Sequence, residues 1–178
     1  MAGPACTGGG QLSGLFDEAL GIKDLHRAGW KRAGIDSPES VAAHSWGVAW
    51  LVMNLCPNHV DAARALKIAL VHDLPEVIAG DITPHDGISK AQKRALEKEA
   101  AEDLFRQRPD LKDLWQEYED GATPEAQLVK ECDALDMALQ AVRYGRQAGV
   151  DTAEFITSAR SKIRTAALLD LLEQSIRS

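Results

Sequence analysis

The stretch ALVHDLPEVIAGDITP, residues 69–84, decides how the rest of the chain is interpreted. An apolar helical run ends there in His72-Asp73, directly before Leu74-Pro75. Because proline disfavours helical geometry in the residue before it, we expect the helix to end near Leu74. Adjacent side chains of an intact helix point about 100° apart. The loosened backbone before Pro75 therefore allows His72 and Asp73 to turn toward a common centre.

Two more polar residues stand inside apolar stretches of the sequence. His44 lies within VAAHSWGVAWLV, and Asp133 lies within VKECDALDM. A single buried histidine is usually a hydrogen-bonded core residue, and a single mid-helix aspartate usually faces solvent. Buried imidazoles and carboxylates are costly unless they are paired or bind a metal. Together with His72 and Asp73 they form a mixed nitrogen and oxygen donor set, which predicts a metal site between helices of a bundle.

The remainder of the chain has the composition of a helical protein. Alanine, leucine, glutamate and glutamine dominate, and no stretch of β-branched residues alternates with period two. We expect a flexible N-terminal tail at residues 1–11, which include Gly8-Gly9-Gly10. Residues 12–178 show no repeat and no internal linker. They are predicted to form a single all-α domain, a bundle of about six to eight helices.

Local signals predict several helix ends. Ser37-Pro38 is expected to open a helix after a loop, with the serine as N-cap and the proline in the first turn. Ser89 and Gln92 have the spacing of a capping box at the start of a charged, exposed helix. A last helix is expected over about residues 158–175.

Charge and cysteine content exclude several classes of protein. Lys and Arg number 20 and Asp and Glu number 27, which gives a formal net charge of −7. Proteins that bind duplex nucleic acid have basic surfaces, so no duplex partner is expected. The three cysteines show neither disulfide nor metal-binding spacing. The sequence contains no secretory signal and no apolar run of membrane length, so we expect a cytoplasmic protein that does not bind a membrane.

At this point the chain resembles a known family. The pattern His44, His72-Asp73, Asp133 resembles the H…HD…D signature of HD-domain metal-dependent phosphohydrolases. The surrounding segments PESVAAHSW, ALVHDLPEVIAGDITP and KECDALDMALQAVRYG are similar to those of the 5′-deoxynucleotidase subfamily. The resemblance extends from about Leu12 to the C-terminus, and it implies an HD-domain helical bundle.

The resemblance also implies the roles of the acidic residues. The four residues of the signature would ligate one divalent ion, which could be Mn, Co, Zn, Fe or Mg. Glu76 and Asp81 match acidic residues that the family uses beside the metal. They would act as the base that orients water or as the proton donor to the leaving oxygen.

Substrate contacts are expected from two segments. Trp30 matches an aromatic residue that the family places near the sugar and base, and an indole face suits stacking. Arg27, in HRAGW, matches the arginine of a branch whose motif reads RTGW, whereas another branch has arginine directly before the tryptophan. Arg27 and Arg32 are therefore both candidates for binding phosphate. Thr83 and Pro84 are expected to line the pocket.

Three functions are consistent with these motifs. The first is hydrolysis of nucleoside, and more specifically deoxynucleoside, 5′-monophosphates to nucleoside and phosphate. The second is hydrolysis of deoxynucleoside triphosphates to nucleoside and triphosphate, because related phage-type enzymes cleave dATP in this way. The third is a metal-stabilised nucleotide-binding domain without catalysis. The resemblance further implies a homodimer or higher homo-oligomer, which the apolar last helix would permit.

Overall fold

The computed structural model describes residues 9–178, and this part of the chain is built from helices. The α-helices are α1 (Gly9–Leu20), α2 (Ala28–Arg32), α3 (Val41–Leu55), α4 (Ala62–Val71), α5 (Glu76–Ala79), α6 (Lys90–Leu104), α7 (Pro109–Asp120), α8 (Pro124–Ala148), α9 (Ala153–Lys162) and α10 (Ala166–Arg177). A 3₁₀ turn, Gly21–Lys23, follows α1. Apart from one isolated bridge between His26 and Ser40, residues 9–178 contain no β-structure.

The predicted all-α class is confirmed. Within the described residues, eight of the ten helices have ten or more residues, and α2 and α5 have five and four. The eight longer helices agree with the expected number of six to eight. Helix α2 lies in the segment before Ser37 for which the sequence predicts a loop.

The centre of the bundle is formed by α3, α4 and the 25-residue α8. Apolar side chains from these helices form one core, which includes Val52, Ile68, Val129, Cys132 and Leu135, all fully buried. Burial of an aliphatic side chain of this size stabilises a fold by ~1.5–3 kcal/mol. The three helices nearest the predicted metal ligands are therefore held firmly against one another.

The helix start predicted at Ser37-Pro38 is wrong, because α3 begins at Val41 with Ser40 as its N-cap. Ser40 itself has extended geometry and forms an isolated bridge with His26, in the chain segment before α2. The carbonyl of Glu39 accepts a hydrogen bond from the Arg27 N–H at 3.1 Å. Tertiary pairing thus overrides the local capping signal at Ser37.

The prediction of a single last helix is also wrong, because this part of the chain is divided into α9 and α10. Ile163, directly after α9, is buried in the core, and the N–H of Thr165 donates to the Glu131 carboxylate at 2.9 Å. These two contacts turn the chain between the helices. The apolar side chains of α10, among them Leu168 and Leu172, pack into the protein's own core rather than facing outward.

One further local prediction, the capping box, is confirmed. The Ser89 hydroxyl accepts from the Gln92 N–H, and the Gln92 side chain accepts from the Ser89 N–H, which completes the capping box. Most of the tail predicted at residues 1–11 lies outside the described residues, and its last three residues belong to α1. Among the helices that are described, none has the length and apolar character needed to cross a bilayer.

Candidate active site

Four side chains from three parts of the bundle meet at one point. His44 comes from α3, Asp133 from α8, and His72-Asp73 from the turn that follows α4. The Nε2 atom of His44 lies 3.1 Å from Asp133 Oδ1, and Asp73 Oδ2 lies 3.2 Å from His72 Nε2 and 3.7 Å from His44 Nε2. One donor atom each from His44, His72 and Asp133 lie within 4.8 Å of one another. The residues of the predicted metal set are thus close neighbours.

The chemistry of this cluster fits a divalent cation. His44 Nε2 and His72 Nε2 are buried and have no hydrogen-bond partner, and the same holds for Glu76 Oε2. Leaving one such group unsatisfied costs about 1–3 kcal/mol. Two inward-facing imidazole nitrogens beside two carboxylates are a donor set for Mn, Fe, Co or Zn. A cation at this point would therefore satisfy atoms that the protein itself leaves without partners.

Both imidazoles are anchored at the nitrogen that faces away from the cluster. His72 Nδ1 lies 2.8 Å from the Ala69 carbonyl, and His44 Nδ1 lies 2.7 Å from Asp136 Oδ2. The Tyr118 hydroxyl donates to Asp133 Oδ2 at 2.8 Å. Each of these partners restricts the orientation of one side chain in the cluster.

Burial and charge shift the pKa values of the cluster. Burial acts to lower the pKa of His44, but the neighbouring carboxylates of Asp133 and Asp136 outweigh it and raise this pKa to about 9. For Asp73, burial acts to raise the pKa, but the nearby charge of His72 brings it down to about 2. The carboxylates therefore stay ionised and attract positive charge, which a proton or a metal ion can supply.

Glu76 lies beside the cluster at the start of the four-residue helix α5. Its side chain is buried, with Oε2 unpartnered. Burial, followed by the negative charges of Asp73 and Asp81, raises the pKa of Glu76 well above its usual value. The carboxyl can therefore carry a proton at a pH where an exposed glutamate has lost it.

Asp81 connects the turn after α5 to the start of α2. Gly80, with a φ of 80°, adopts a backbone conformation that side-chain-bearing residues rarely take, and it turns the chain before Asp81. Asp81 Oδ2 accepts a 2.7 Å hydrogen bond from the Ala28 N–H and lies 3.9 Å from Arg27 Nε. Arg27 Nη1 lies 3.5 Å from Asp73 Oδ2. Arg27 is therefore held between two carboxylates at the edge of the cluster.

Trp30 is almost completely buried, with 1% of its surface exposed. Its ring lies 4.2 Å from the Phe155 ring and 5.3 Å from the Tyr144 ring, measured between centroids. Its Nε1–H donates to Glu39 Oε1 at 2.9 Å. The indole is thus packed into a small aromatic core that forms a wall of the site.

The other predicted substrate contacts lie at the mouth of the site. Arg32 forms an ion pair with Glu154. The Thr83 hydroxyl donates to Asp86 Oδ2 at 3.0 Å, and Pro84, next to it, is exposed. All the predicted contact residues, from Arg27 and Trp30 to Pro84, line the same cleft.

This cleft has a volume of about 450 Å³ and is open to solvent. Asp73, Glu76 and Asp133 line it, and so do the cationic side chains of Arg27, Lys93 and Lys130. A cavity of this size suits a ligand of nucleotide dimensions. The acidic cluster and the cations thus face one common space.

Comparison with known families agrees with this arrangement. A model of the HD domain matches residues 21–171, which is most of the chain. The chain belongs to the HD-domain family. Relatives of known name include the 5′-deoxynucleotidase HDDC2 of Danio rerio, 38% identical over 159 residues that cover 85% of this chain and 80% of that protein. The 5′-deoxynucleotidase hdd1 of Schizosaccharomyces pombe is 38% identical over 135 residues, covering 71% and 68%.

Solved structures show the same HD-domain fold. The PH0347 protein of Pyrococcus horikoshii OT3 superposes with a TM-score of 0.78 at 32% identity, covering 92% of this chain and 97% of that one. A protein from Magnetospirillum magnetotacticum MS-1, described as a predicted metal-dependent phosphohydrolase, has a TM-score of 0.69 at 25% identity, covering 94% of each chain.

Sequence reasoning missed two residues of this HD-domain site. Asp136 contacts His44, and its position three residues after Asp133 on the same helix face was a usable signal. Tyr118 contacts Asp133 from α7, and no pattern in the sequence indicated that α7 reaches the site. The other three histidines, His26, His59 and His85, are exposed.

Proposed function

We propose that the chain is a metal-dependent phosphohydrolase that removes the 5′-phosphate from deoxynucleoside monophosphates. The observation that carries this proposal is the pair of buried imidazole nitrogens without partners, which lie beside two carboxylates that line a nucleotide-sized cleft. The relatives named 5′-deoxynucleotidases support the substrate class. The reaction breaks the bond between phosphorus and the 5′-oxygen, adds a water oxygen to phosphorus and returns a proton to the 5′-oxygen.

His44, His72, Asp73 and Asp133 are the residues that would hold one divalent ion. Bound there, the ion would neutralise phosphate charge and would lower the pKa of a water molecule, which makes that water a better nucleophile toward phosphorus. Asp73 and Asp133 are ionised, since the charge of the neighbouring histidines outweighs burial and lowers the pKa of both.

Glu76 is proposed as the proton donor to the leaving 5′-oxygen. Its pKa is raised, first by burial and then by nearby carboxylates, so it can hold a proton at a pH where an exposed glutamate has lost it. Asp81 is proposed to orient the attacking water. Asp81 lines the cleft, and its Oδ2 makes the contacts to Ala28 and Arg27.

Arg27 is proposed as the cation that binds the phosphate. Its guanidinium lies beside Asp73 and Asp81, close to the point where the reaction would occur. A planar guanidinium binds phosphate oxygens with two parallel hydrogen bonds. Arg32, Thr83 and Pro84 are proposed to line the cleft mouth, and Trp30 to shape its wall.

Product analysis on a nucleotide panel tests this function. Purified protein loaded with Mn²⁺ or Co²⁺ is incubated with deoxynucleoside and ribonucleoside monophosphates and with dNTPs. Phosphate is measured with malachite green, and all products are separated by chromatography. We expect nucleoside and phosphate from the deoxynucleoside monophosphates, with a Glu76→Gln protein as control against a contaminating phosphatase. Intact triphosphate released from dNTPs would instead establish a triphosphohydrolase, and no product from any nucleotide would refute the enzyme.

We also propose a homodimer, as the family resemblance implies. The apolar residues of α10 are used within the chain, but α3 exposes Trp46, Trp50 and Met53. These residues follow at spacings of four and three, so they share one helix face. Sedimentation velocity is expected to give twice the chain mass, and a Trp50→Glu protein is expected to give the monomer mass.

A further inference from the structure

Helices α3 and α8 face each other through two residue pairs of identical spacing. His44 and Gly47 are three residues apart on α3, and Asp133 and Asp136 are three apart on α8. His44 Nε2 lies 3.1 Å from Asp133 Oδ1, whereas His44 Nδ1 lies 2.7 Å from Asp136 Oδ2. The imidazole is therefore held between two carboxylates of the same helix, one on the cleft side and one behind it.

Gly47 leaves the space that Asp136 occupies. A Cβ atom at position 47 would lie 2.8 Å from Asp136 Cγ and closer still to Oδ1, well inside van der Waals contact. Glycine within a helix is otherwise unfavourable relative to alanine. The close approach of the Asp136 carboxylate explains why the helix carries a glycine here.

The two histidines obtain their fixed orientation in different ways. His72 Nδ1 faces the carbonyl of Ala69, one turn earlier in its own helix, so its backbone supplies the partner. His44 depends on a side chain from another helix. A neutral imidazole has one N–H, and an ionised carboxylate can only accept a hydrogen bond. Asp136 therefore keeps the proton on Nδ1 and leaves the Nε2 lone pair facing the cluster.

We propose that Asp136 is a positioning residue that orients His44 for metal binding, and that Gly47 is required because it makes room for this carboxylate. The proposal rests on the metal site of the proposed function but does not require that the protein hydrolyse nucleotides. Partners of this kind, hydrogen-bonded to the distal nitrogen of a metal-binding histidine, typically contribute 10–100-fold to metal affinity.

Metal affinity measured by calorimetry with Mn²⁺ tests the proposal independently of catalysis. We expect one ion per chain, and we expect Asp136→Ala and Gly47→Ala each to weaken binding by ~10–100-fold. Asp136→Asn is expected to weaken it less, because the amide oxygen still accepts from Nδ1–H. The decisive protein is the double variant Gly47→Ala with Asp136→Ala. Once the carboxylate is gone the added methyl has space, so the double variant should bind as Asp136→Ala does.

Matched controls separate this role from general damage to the fold. Gly14→Ala adds a methyl where no heavy atom lies within 4 Å, and Asp170→Ala removes an exposed carboxylate of α10. Both should bind Mn²⁺ as the unmodified chain does. Circular dichroism in the presence of EDTA establishes folding before each titration. If Asp136→Ala does not fold, the Asp136→Asn and Gly47→Ala proteins provide the same comparison.

Three results would overturn the proposal. The first is a folded Asp136→Ala protein that binds Mn²⁺ within twofold of the unmodified chain. The second is a double variant whose loss equals the product of the two single losses, which would show that Gly47 and Asp136 act separately. The third is binding of two ions, one of which is lost with Asp136, because the carboxylate would then be a ligand with neighbouring Glu39 rather than a partner of His44.

Discussion

The two walls of the cleft differ in how completely their polar groups are paired. On the metal side, His44 and His72 have fully buried side chains, and each leaves one ring nitrogen without a partner. The phosphate side consists of the residues predicted to contact the substrate. Each of them that carries a polar side-chain group already has a protein partner for that group. Arg27 contacts Asp73 and Asp81, Arg32 contacts Glu154, Thr83 contacts Asp86 and Trp30 contacts Glu39.

This difference predicts different behaviour on ligand binding. A cation on the metal side gains contacts that the protein does not make by itself, so binding should be strong. A phosphate at Arg27 must compete with carboxylates that already hold the guanidinium, so its net gain is smaller. Substitutions on the metal side should therefore have larger effects than substitutions on the phosphate side.

Removing one imidazole of the metal side should give the largest effect. His72→Ala is expected to abolish measurable Mn²⁺ binding and to lower kcat/KM by at least ~10³-fold, because the ion's charge stabilisation is lost. Calorimetry and phosphate release measure the two effects. The matched control is His59→Ala, an exposed histidine outside the cleft, which should behave as the unmodified chain. Unchanged turnover of the His72→Ala protein would contradict the proposal that a metal ion held by His72 is needed for catalysis.

The next largest effect is expected at Glu76, which lies beside the metal cluster. Glu76→Gln keeps the shape of the side chain but removes the proton that it would donate, so kcat should fall ~10²–10⁴-fold. Mn²⁺ affinity should change little, which distinguishes this loss from the loss in His72→Ala. Glu99→Gln, an exposed glutamate of α6, serves as the control. A fall in Mn²⁺ affinity as large as the fall in kcat would make Glu76 a metal ligand instead.

On the phosphate side, two arginines can be compared directly. Arg27→Lys replaces a planar group held between two carboxylates by a point charge, and we expect kcat/KM to fall ~10–100-fold. Arg32→Lys changes an arginine at the mouth of the cleft that is paired with Glu154, and a fall of threefold or less is expected. Steady-state kinetics on a deoxynucleoside monophosphate decides between them. The reverse order of effects would indicate that Arg32, and not Arg27, binds the phosphate.

The last prediction concerns pH and the metal side alone. Without an ion, the neighbouring carboxylates of Asp133 and Asp136 outweigh burial and raise the pKa of His44 to about 9. Metal binding must displace this proton, so Mn²⁺ affinity should increase with pH, by up to about tenfold per unit below pH 9. Calorimetry at pH 6.5, 7.25 and 8.0 measures the slope. A flat profile over this range would contradict a protonated His44.

The metal side was largely predictable because its residues interrupt helical patterns. His44, His72 and Asp133 stand where an apolar side chain is expected, and the structure places them together. Helix periodicity is encoded in neighbouring residues, so a polar group at a core position is visible without knowledge of the tertiary fold. Asp136 was within reach of the same argument, since it lies three residues after Asp133.

The phosphate side depended on contacts that no local pattern contains. Helix α2 has only five residues, too few to be stable in isolation, and its first N–H is satisfied by Asp81 from a distant segment. Helix α3 begins later than the sequence predicts because Glu39 pairs with Arg27. The break before α10 depends on Glu131. In each case an interaction between segments far apart in sequence outweighed the local preference of the chain.

The burial of the Cys132 thiol affects which metal ions the chain binds and how readily the chain reacts with oxidants. It precedes Asp133 in α8 and belongs to the apolar core. Burial, assisted by the charges of Glu131 and Asp133, raises the pKa of this thiol to about 12. Only a thiolate binds soft ions or reacts readily with peroxide. Next to its acidic neighbour, Cys132 therefore remains inert, and the cluster offers harder nitrogen and oxygen donors without an oxidisable sulfur among them.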